Sequence, residues 1–520
     1  MGFFQRLLSL GFVPILALLA LQLFAPEKWH SLQDALEPYI AGTALSHLFP
    51  HPLPLRSATP ILIASTTHWS HVEKVAVIAT ELAALGYPIT FMTGRVFEKE
   101  VSSLHRNIKF EPYLGNDDKM SDEDISTFMA LPSGPEKELF IMKKVLVDGM
   151  PSQHESIQLQ LQKFRKKYNS TKPLIVLFDQ TVTGEYPILF GSPGIQADAN
   201  IGISLAPLSV ESNYTFPFRS GKVPHTGPDA KAVHAKAYKE YYSEHYVKQL
   251  NEAWWAKLRE MGAVQSRYPG LMEAFNMAPD YLLTLGIPEF EFPRSDLRSN
   301  VRWFGAFKNA GAKDDDKTKS ELPSWWDDIA EAKREGKKIV AVSQGTVEAD
   351  LEDVLLPTIE ALKERDDVLV IATTVLVEPG DVKNLIVPGN TRVAKFVPYG
   401  LLLPLIDVLV SNGGYGAVQH CVRLGLPMVV SGVGQDKATT NAIVQWSGVG
   451  INLAVQQPGA EKIRDAVKKV LEDDSYKKKA VELSKHYDSY NVGKVVDGVV
   501  RDVVRDWVRK NTAVVGKDEL

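Results

Sequence analysis

The chain has almost no cysteine. Among its 520 residues only Cys421 carries a thiol, so no disulfide can form within the chain. This excludes the small proteins that disulfides hold together, but it does not exclude a secreted or lumenal protein, because a large core needs no such cross-links. A chain of this length exceeds one ordinary core and predicts two domains.

The sequence also lacks an excess of charge of either sign. It has 58 Lys and Arg against 63 Asp and Glu, a net charge of −5, and the two signs are interspersed. A nucleic-acid-binding protein needs a basic patch, so we exclude nucleic acid as a partner. The hydrophobic share of 45% and the charged share of 23% are typical of a folded protein.

One long apolar run occurs, at the N-terminus. Residues 7–24 carry no charge, follow Arg6 and are interrupted by Pro14. The run is long for a signal-peptide core, slightly short for a span of about 20 residues, and no small-x-small cleavage site follows it. We predict that residues 1–26 form an uncleaved single-pass membrane anchor. A cleaved signal peptide and a buried helix are the alternatives.

The C-terminus and two short motifs concern location. Residues 517–520 read Lys-Asp-Glu-Leu, a receptor-read signal for retention in the endoplasmic reticulum. If Arg6 stays outside the lumen, the anchor delivers the C-terminus to the lumen, so we expect the lumenal face of the endoplasmic reticulum. Asn169 and Asn213 begin N-glycosylation sequons. Chance matches are the alternative for the tail and for both sequons.

The apolar patterning predicts a first α/β domain over residues 57–307. Residues 61–65 and 89–92 are predicted strands, and 75–85 between them carries apolar residues at helical spacing, which is typical of a βαβ unit. A further buried strand over 174–178 ends at Asp179. An aromatic-rich stretch over 230–261 is predicted to be one long helix.

A second α/β series over residues 325–489 follows a polar linker at 308–324. We interpret the Asp run at 314–316 as a solvated part of that linker, not as metal ligands. A valine repeat near the C-terminus predicts a helix with one apolar stripe. The predicted strands of the second domain are 338–343, 368–373, 392–396, 408–411 and 428–431, and its predicted helices are 351–364 and 417–424.

Two glycine-rich turns suggest an anion site in the second domain. Residues 411–416 and 343–346 each follow a predicted strand, where backbone N–H groups and a helix N-terminus can approach a phosphate. Two such turns in one domain favour a diphosphate. Because ligands of doubly wound sheets bind beyond the carboxyl ends of the strands, we expect the two domains to enclose a cleft there.

His71 and Asp179 are candidates for acid–base chemistry at the same cleft. His71 is predicted to lie in the loop after the first strand and Asp179 at the end of a later one. A histidine held by a carboxylate can serve as general base for a hydroxyl, since the carboxylate fixes the tautomer and stabilises the imidazolium. A helix-capping His with an unrelated strand-end Asp is the alternative, and His68 is a competing base.

Several motifs resemble the inverting UDP-glycosyltransferases of family 1, in particular their macrolide-type and fungal or bacterial secondary-metabolite branch. Residues 70–74 (Ser-His-Val-Glu-Lys) resemble that family's Gly-His-Val-Asn-Pro loop and support His71 over His68. The resemblance extends over residues 58–509. The motifs that resemble the family's donor-binding signature are 396–399, 411–420, 425–430, 436–437 and 441–442.

The resemblance implies a GT-B fold: two facing Rossmann-like, doubly wound domains, with residues 490–512 returning to the first domain. It implies transfer of a hexose, with glucose favoured, from a UDP-sugar to a hydroxyl of a small hydrophobic acceptor, with His71 as base and Asp179 as its support. The UDP-sugar is a co-substrate, and neither a metal nor another cofactor is expected. The implied donor-binding residues are Thr346, Phe396, Val397, Asn412, Gly413, Gly414, Tyr415, Gly416, Gln419, His420, Asp436 and Lys437.

The sequence departs from the family pattern at the donor site. Asn412 replaces a His, Ala417 and Val418 replace Ser-Thr, His420 replaces a Glu, and Lys437 replaces a Gln. Asn412 can still donate to a phosphate, and Gln419 is the alternative contact to the ribose. These departures keep two other functions open, a non-catalytic UDP-sugar-binding subunit and a UDP-sugar epimerase on the same fold.

Overall fold

The computed structural model describes positions 21, 24, 25, 28, 29, 32, 33 and 36 and the segments 53–115, 120–132, 134–264, 268–307, 322–345, 350–375 and 377–515. The predicted anchor, the linker and the C-terminal tetrapeptide lie largely or wholly outside these residues. Within the described segments, no helix combines the length and the apolarity that a membrane crossing requires.

Within the described residues, the first domain contains a seven-stranded parallel sheet in the order β3-β2-β1-β4-β5-β6-β7. The central strands β1 and β4 are buried along their whole length, as expected for a parallel sheet with helices on both faces. The strand order reverses between β1 and β4. The strands are β1 (Ile61–Ala64), β2 (Ile89–Thr93), β3 (Ile108–Pro112), β4 (Ile175–Asp179), β5 (Ala199–Ser204), β6 (Tyr281–Thr284) and β7 (Val301–Trp303).

Nine α-helices accompany this sheet among the described residues. They are α1 (Trp69–Ala84), α2 (Glu98–Ser102), α3 (Asp122–Ala130), α4 (Pro135–Lys143), α5 (Met150–Tyr168), α6 (Tyr186–Leu189), α7 (Ala230–Ser243), α8 (His245–Glu260) and α9 (Leu271–Met277). Two sequence predictions are wrong here. Helix α1 begins at Trp69, so His71 lies in its first turn and not in a loop. The single helix predicted over 230–261 is two helices, because Glu244 is extended with φ −60° and ψ 137°.

Within the described segments, the second domain contains a six-stranded parallel sheet in the order β10-β9-β8-β11-β12-β13. Its strand order reverses between β8 and β11. The strands are β8 (Lys338–Ser343), β9 (Val368–Thr373), β10 (Thr391–Ala394), β11 (Val408–Ser411), β12 (Met428–Val430) and β13 (Gly450–Asn452). The strand predicted over 392–396 therefore ends before Phe396.

The helices of the second domain cover both faces of its sheet. The helix predicted over 351–364 is shorter than expected, and the one predicted over 417–424 starts two residues earlier. The helices are α10 (Asp328–Arg334), α11 (Leu355–Leu362), α12 (Tyr399–Leu402), α13 (Tyr415–Arg423), α14 (Lys437–Ser447), α15 (Ala460–Glu472) and α16 (Asp474–Tyr487).

The last helix, α17 (Val492–Val515), packs on the first domain. Its buried valines join the core formed by β1, β2 and α1. A buried ion pair adds to this apolar contact. Arg56 Nε and Nη2 donate to the two carboxylate oxygens of Asp497 at 2.8 and 2.7 Å, and Tyr87 Oη donates to the same carboxylate at 2.7 Å. The buried valines are Val492, Val496, Val499, Val500, Val503 and Val504.

Candidate active site

The topology of the first sheet brings His71 and Asp179 together. His71 lies in the first turn of the helix after β1, and Asp179 ends β4, the strand that pairs with β1. Both therefore lie at the point where the strand order reverses, which is where doubly wound sheets bind ligands. His71 Nδ1 lies 2.5 Å from Asp179 Oδ2. The pairing excludes the alternative in which the two residues are unrelated.

The surroundings of Asp179 keep it ionised. The carboxylate is completely buried, and burial alone would raise its pKa. The His71 ring and the hydrogen bonds from Thr181 outweigh burial, so the pKa of Asp179 is lowered. Thr181 donates to Oδ1 through its backbone N–H at 3.0 Å and through Oγ1 at 2.7 Å. An ionised, fixed carboxylate is what holds a neighbouring imidazole in one tautomer.

The imidazole itself is partly open to the cleft. The His71 side chain is 32% exposed, and the contact with Asp179 uses Nδ1 only. Nε2 has no hydrogen-bond partner among the described residues, so it can face a substrate hydroxyl. His68, the competing base, caps the same helix through its backbone carbonyl, which accepts from the N–H groups of His71 and Val72.

The topology of the second sheet likewise brings the two glycine-rich turns together. Gln344 and Gly345 follow β8, and Asn412 to Gly414 follow β11, the strand beside it. The Asn412 side chain is 1% exposed, and its Nδ2 has no partner within the described segments. A Cβ placed on Gly345 would lie 3.7 Å from that Nδ2. A buried amide donor between two turns is suited to an anion.

Adjacent glycines in the turn after β11 serve different purposes. Gly413 has φ +84°, and a Cβ there would lie 1.7 Å from Asn441 Oδ1. Asn441 in turn donates to Gly432 O at 3.1 Å, so the close approach fixes the shape of the turn. Gly414 has φ −58° and precedes α13. A Cβ there would meet nothing within 4 Å, which makes Gly414 the open side of the turn.

Three predicted donor contacts, Tyr415, Gln419 and Val397, have buried side chains. Tyr415 is 2% exposed, and its Oη is 3.0 Å from both Leu285 O and Glu291 Oε1 of the first domain. Gln419 is completely buried, and its Oε1 accepts a hydrogen bond from Tyr487 Oη, while its Nε2 has no partner among the described residues. Val397 is 1% exposed and belongs to the second core. Tyr415 and Val397 therefore offer a donor their backbones.

The other predicted donor residues are placed as follows. Phe396 is 61% exposed in the loop after β10, which excludes its alternative role as a core residue. His420 is 8% exposed, and burial followed by the charges of Arg423 and Lys74 lowers its pKa to about 4, so it is neutral at pH 7. Asp436 and Lys437 begin α14. Thr346 lies outside the described residues.

Sequence reasoning missed Glu291, which contacts the second domain, and Arg294, which forms hydrogen bonds within the first. Glu291 accepts from Tyr415, and burial raises the pKa of Glu291 to about 6. Arg294 Nη1 and Nη2 donate to Val210 O and Leu208 O at 2.8 and 3.1 Å. Their hydrogen-bond partners lie more than 80 positions away in the sequence. Only the fold identifies them.

Solved structures of glycosyltransferases share this two-domain architecture. A glycosyltransferase of kitacinnamycin superimposes with a TM-score of 0.56 at 17% identity, covering 85% of this chain and 98% of that one. The calicheamicin glycosyltransferase CalG4 gives a TM-score of 0.57 at 15% identity, covering 85% and 98%. At these identities the likeness establishes the fold, which is GT-B.

Sequence relatives are much closer. The family model "Erythromycin biosynthesis protein CIII-like, C-terminal domain" matches residues 358–496. UDP-glycosyltransferase 2 of Phaeomoniella chlamydospora is 36% identical over 82% of this chain and 92% of its own length. UDP-glucosyltransferase avaP of Aspergillus versicolor is 34% identical over 84% and 96%. The chain belongs to the UDP-glycosyltransferases of family 1. It is therefore an enzyme that transfers a glycosyl group from a UDP-sugar.

Proposed function

We propose that this enzyme inverts the anomeric centre while transferring a hexose, with glucose favoured, to a hydroxyl of a small hydrophobic acceptor. The observation that carries the proposal is the 2.5 Å contact between His71 Nδ1 and Asp179 Oδ2 at the cleft. The other face of the cleft offers the Asn412 amide and the N-terminus of α13. Glucose is favoured because relatives such as the Aspergillus versicolor protein are UDP-glucosyltransferases by name.

The mechanism follows from the position of each group. His71 Nε2 takes the proton of the acceptor hydroxyl, and Asp179 stabilises the imidazolium through Nδ1. The acceptor oxygen attacks the anomeric carbon from the face opposite UDP, so the configuration inverts. The bond to UDP breaks, and the departing diphosphate is stabilised by the Asn412 amide and the backbone N–H groups at the start of α13.

A cavity with a partly aromatic lining is the candidate site for the acceptor. It has a volume of about 390 Å³ and lies between the 216–222 loop, α7, α8 and Val433 of the second domain. Phe216, Tyr241 and Tyr246 supply aromatic surface. The loop is tied to α14 because Arg219 N donates to Thr439 Oγ1 at 2.7 Å. The cavity therefore adjoins the helix that begins with Asp436 and Lys437.

A product analysis tests the proposal. The purified enzyme is incubated with UDP-glucose and a panel of hydrophobic alcohols and phenols, and the products are read by mass spectrometry and by the anomeric coupling in NMR. We expect a β-glucoside, and we expect His71→Ala to make none while His68→Ala does. An α-glucoside, or full activity of His71→Ala, would contradict the mechanism.

We also propose that the enzyme resides in the endoplasmic reticulum with both domains in the lumen, held by a single N-terminal anchor. The support is in the sequence, in the apolar run at 7–24 and the Lys-Asp-Glu-Leu tail at 517–520. Both sequon asparagines are exposed, Asn169 at the end of α5 and Asn213 in the loop after β5. An oligosaccharyltransferase can reach exposed sites, so a shift in mass after endoglycosidase treatment tests this orientation.

A further inference from the structure

We propose that Lys74 binds the diphosphate of the UDP-sugar from the opposite side of the cleft and is a further catalytic residue of the transfer. This inference rests on the donor site proposed above, because it assigns a ligand to a cation that faces that site. Lys74 belongs to α1 of the first domain, whereas the other diphosphate ligands proposed belong to the second.

The geometry places the ammonium at the start of α13. A Cβ on Gly416 would lie 3.0 Å from Lys74 Cε and 3.5 Å from Lys74 Nζ. Gly416 is the second residue of α13 and follows the open Gly414 by two positions. The absence of a side chain at Gly416 therefore gives Lys74 the room to reach the turn that is suited to an anion.

The local charges favour an anion between Lys74 and the helix. The N-terminus of a helix is positive, so a cation placed there is unfavourable by itself. Nζ donates to the Ser70 carbonyl, and no carboxylate of the described residues forms an ion pair with it. Burial lowers the pKa of Lys74 against the raising influence of Glu73, Asp179 and Asp436. A bound phosphate would give Nζ the direct ion-pair partner that none of these carboxylates provides.

The side chains that follow Gly416 strengthen the case. Ala417 and Val418 carry no hydroxyl, and His420 is held neutral, so the first turns of α13 offer little beyond backbone N–H groups and the Asn412 amide. Lysine binds phosphate as a mobile point charge. Lys74 adds a full positive charge on the first-domain side of this turn.

Lys74 also connects the diphosphate to the base. His71 and Lys74 are three positions apart on α1, so they lie on one face of the helix. A phosphate that holds Lys74 therefore fixes the helix face that presents His71. Binding of the donor from the second domain thus orients the base of the first.

Calorimetric titration of UDP and of uridine tests the assignment. In Lys74→Met we expect the Kd of UDP to rise about 10- to 100-fold, as for the loss of a charge-assisted hydrogen bond, while uridine binds as it does to the parent. Lys74→Arg should restore part of the loss. Lys166→Met is the control, because Lys166 is exposed near the end of α5, at the opposite edge of the sheet.

A double-mutant cycle tests the geometry. In the parent, Gly416→Ala should lower the affinity for UDP because the added methyl group displaces Lys74. In the Lys74→Met background the same substitution should not change the affinity further. Equal losses in both backgrounds would overturn the inference.

Three further outcomes separate this inference from the proposed donor site. Unchanged UDP affinity in Lys74→Met overturns the role of Lys74 and leaves the donor site intact. Equal weakening of UDP and uridine, with a lower melting temperature, makes Lys74 structural and also overturns it. Failure of the parent to bind UDP overturns the donor site itself.

Discussion

Replacing Asp179 by Asn tests the proposed base by changing which nitrogen of His71 carries the imidazole proton. The carboxylate accepts from His71 through Oδ2 and from Thr181 through Oδ1. An Asn can keep the Thr181 contacts only with its carbonyl, so its Nδ2 must donate toward His71 Nδ1. The imidazole proton then moves to Nε2, the atom that must receive the acceptor proton. The side chain keeps its shape and the base loses its function.

The expected loss is large and confined to the chemical step. General-base catalysis contributes roughly 10²- to 10⁴-fold, which is about 3–5 kcal/mol of barrier. We therefore expect kcat of Asp179→Asn to fall by that factor, while UDP binds as it does to the parent, because Asp179 forms hydrogen bonds with His71 and Thr181 and not with the proposed donor ligands. Initial rates between pH 5 and 9 and calorimetric titration of UDP measure the two quantities.

Thr181→Val provides the graded control for this experiment. It removes the Oγ1 hydrogen bond to Asp179 but leaves the backbone bond and the His71 contact, so we expect less than about a tenfold fall. An unchanged kcat in Asp179→Asn would refute the role of the pair. A loss of UDP affinity that equals the loss of kcat would show that the substitution disturbs the fold instead.

Four further predictions concern stability, the donor site and location. Burial raises the pKa of Glu185 from 4.5 to about 8, so between these pH values the folded state keeps a proton that the unfolded state has released. The free energy of unfolding should therefore fall as pH rises from 4.5 to 8. Urea unfolding of Glu185→Gln should show this fall reduced by up to about 4–5 kcal/mol. Gly413→Ala should lower the melting temperature, because the added Cβ meets Asn441 Oδ1 and φ at this position is positive. Gly414→Val should instead lower the affinity for UDP and leave the melting temperature unchanged. Phe396→Ala should weaken UDP by roughly 1–3 kcal/mol through lost stacking and leave thermal stability unchanged; the reverse result would make it structural. Protease added to intact microsomes should spare both domains until detergent is present, and digestion without detergent would place them in the cytosol.

The sequence predicts the central strands of both sheets because their apolar runs are almost entirely buried. β4 and β8 begin and end within one residue of the predicted positions. No strand is predicted at β3, β5, β6, β7 or β13, and β7 and β13 have only three residues each. The break between α7 and α8 also escapes prediction, because Glu244 is neither Gly nor Pro and the apolar pattern continues across it.

The candidate site could be predicted only where residues follow strands. His71, Asp179 and Asn412 each come soon after an apolar run, and parallel strands bring such positions to one edge. The sequence cannot tell which side of α13 faces the cleft, so it does not distinguish the buried side chains of Tyr415 and Gln419 from Gly414, which is open. Nor can the sequence predict the position of Lys74, because the residue that it contacts, Gly416, is 342 positions further along the chain.

The docking of α17 has a consequence for synthesis on the ribosome. The sheet of the first domain is complete by residue 303, yet the valines that cover it and the Asp497 carboxylate that neutralises Arg56 are nearly two hundred residues further on. While the second domain is translated, the nascent first domain therefore exposes the apolar surface that α17 later covers. Arg56 has no Asp497 to pair with during this time. Truncation before residue 492 should yield a chain that chaperones retain, and premature stop codons late in the gene should be as damaging as early ones.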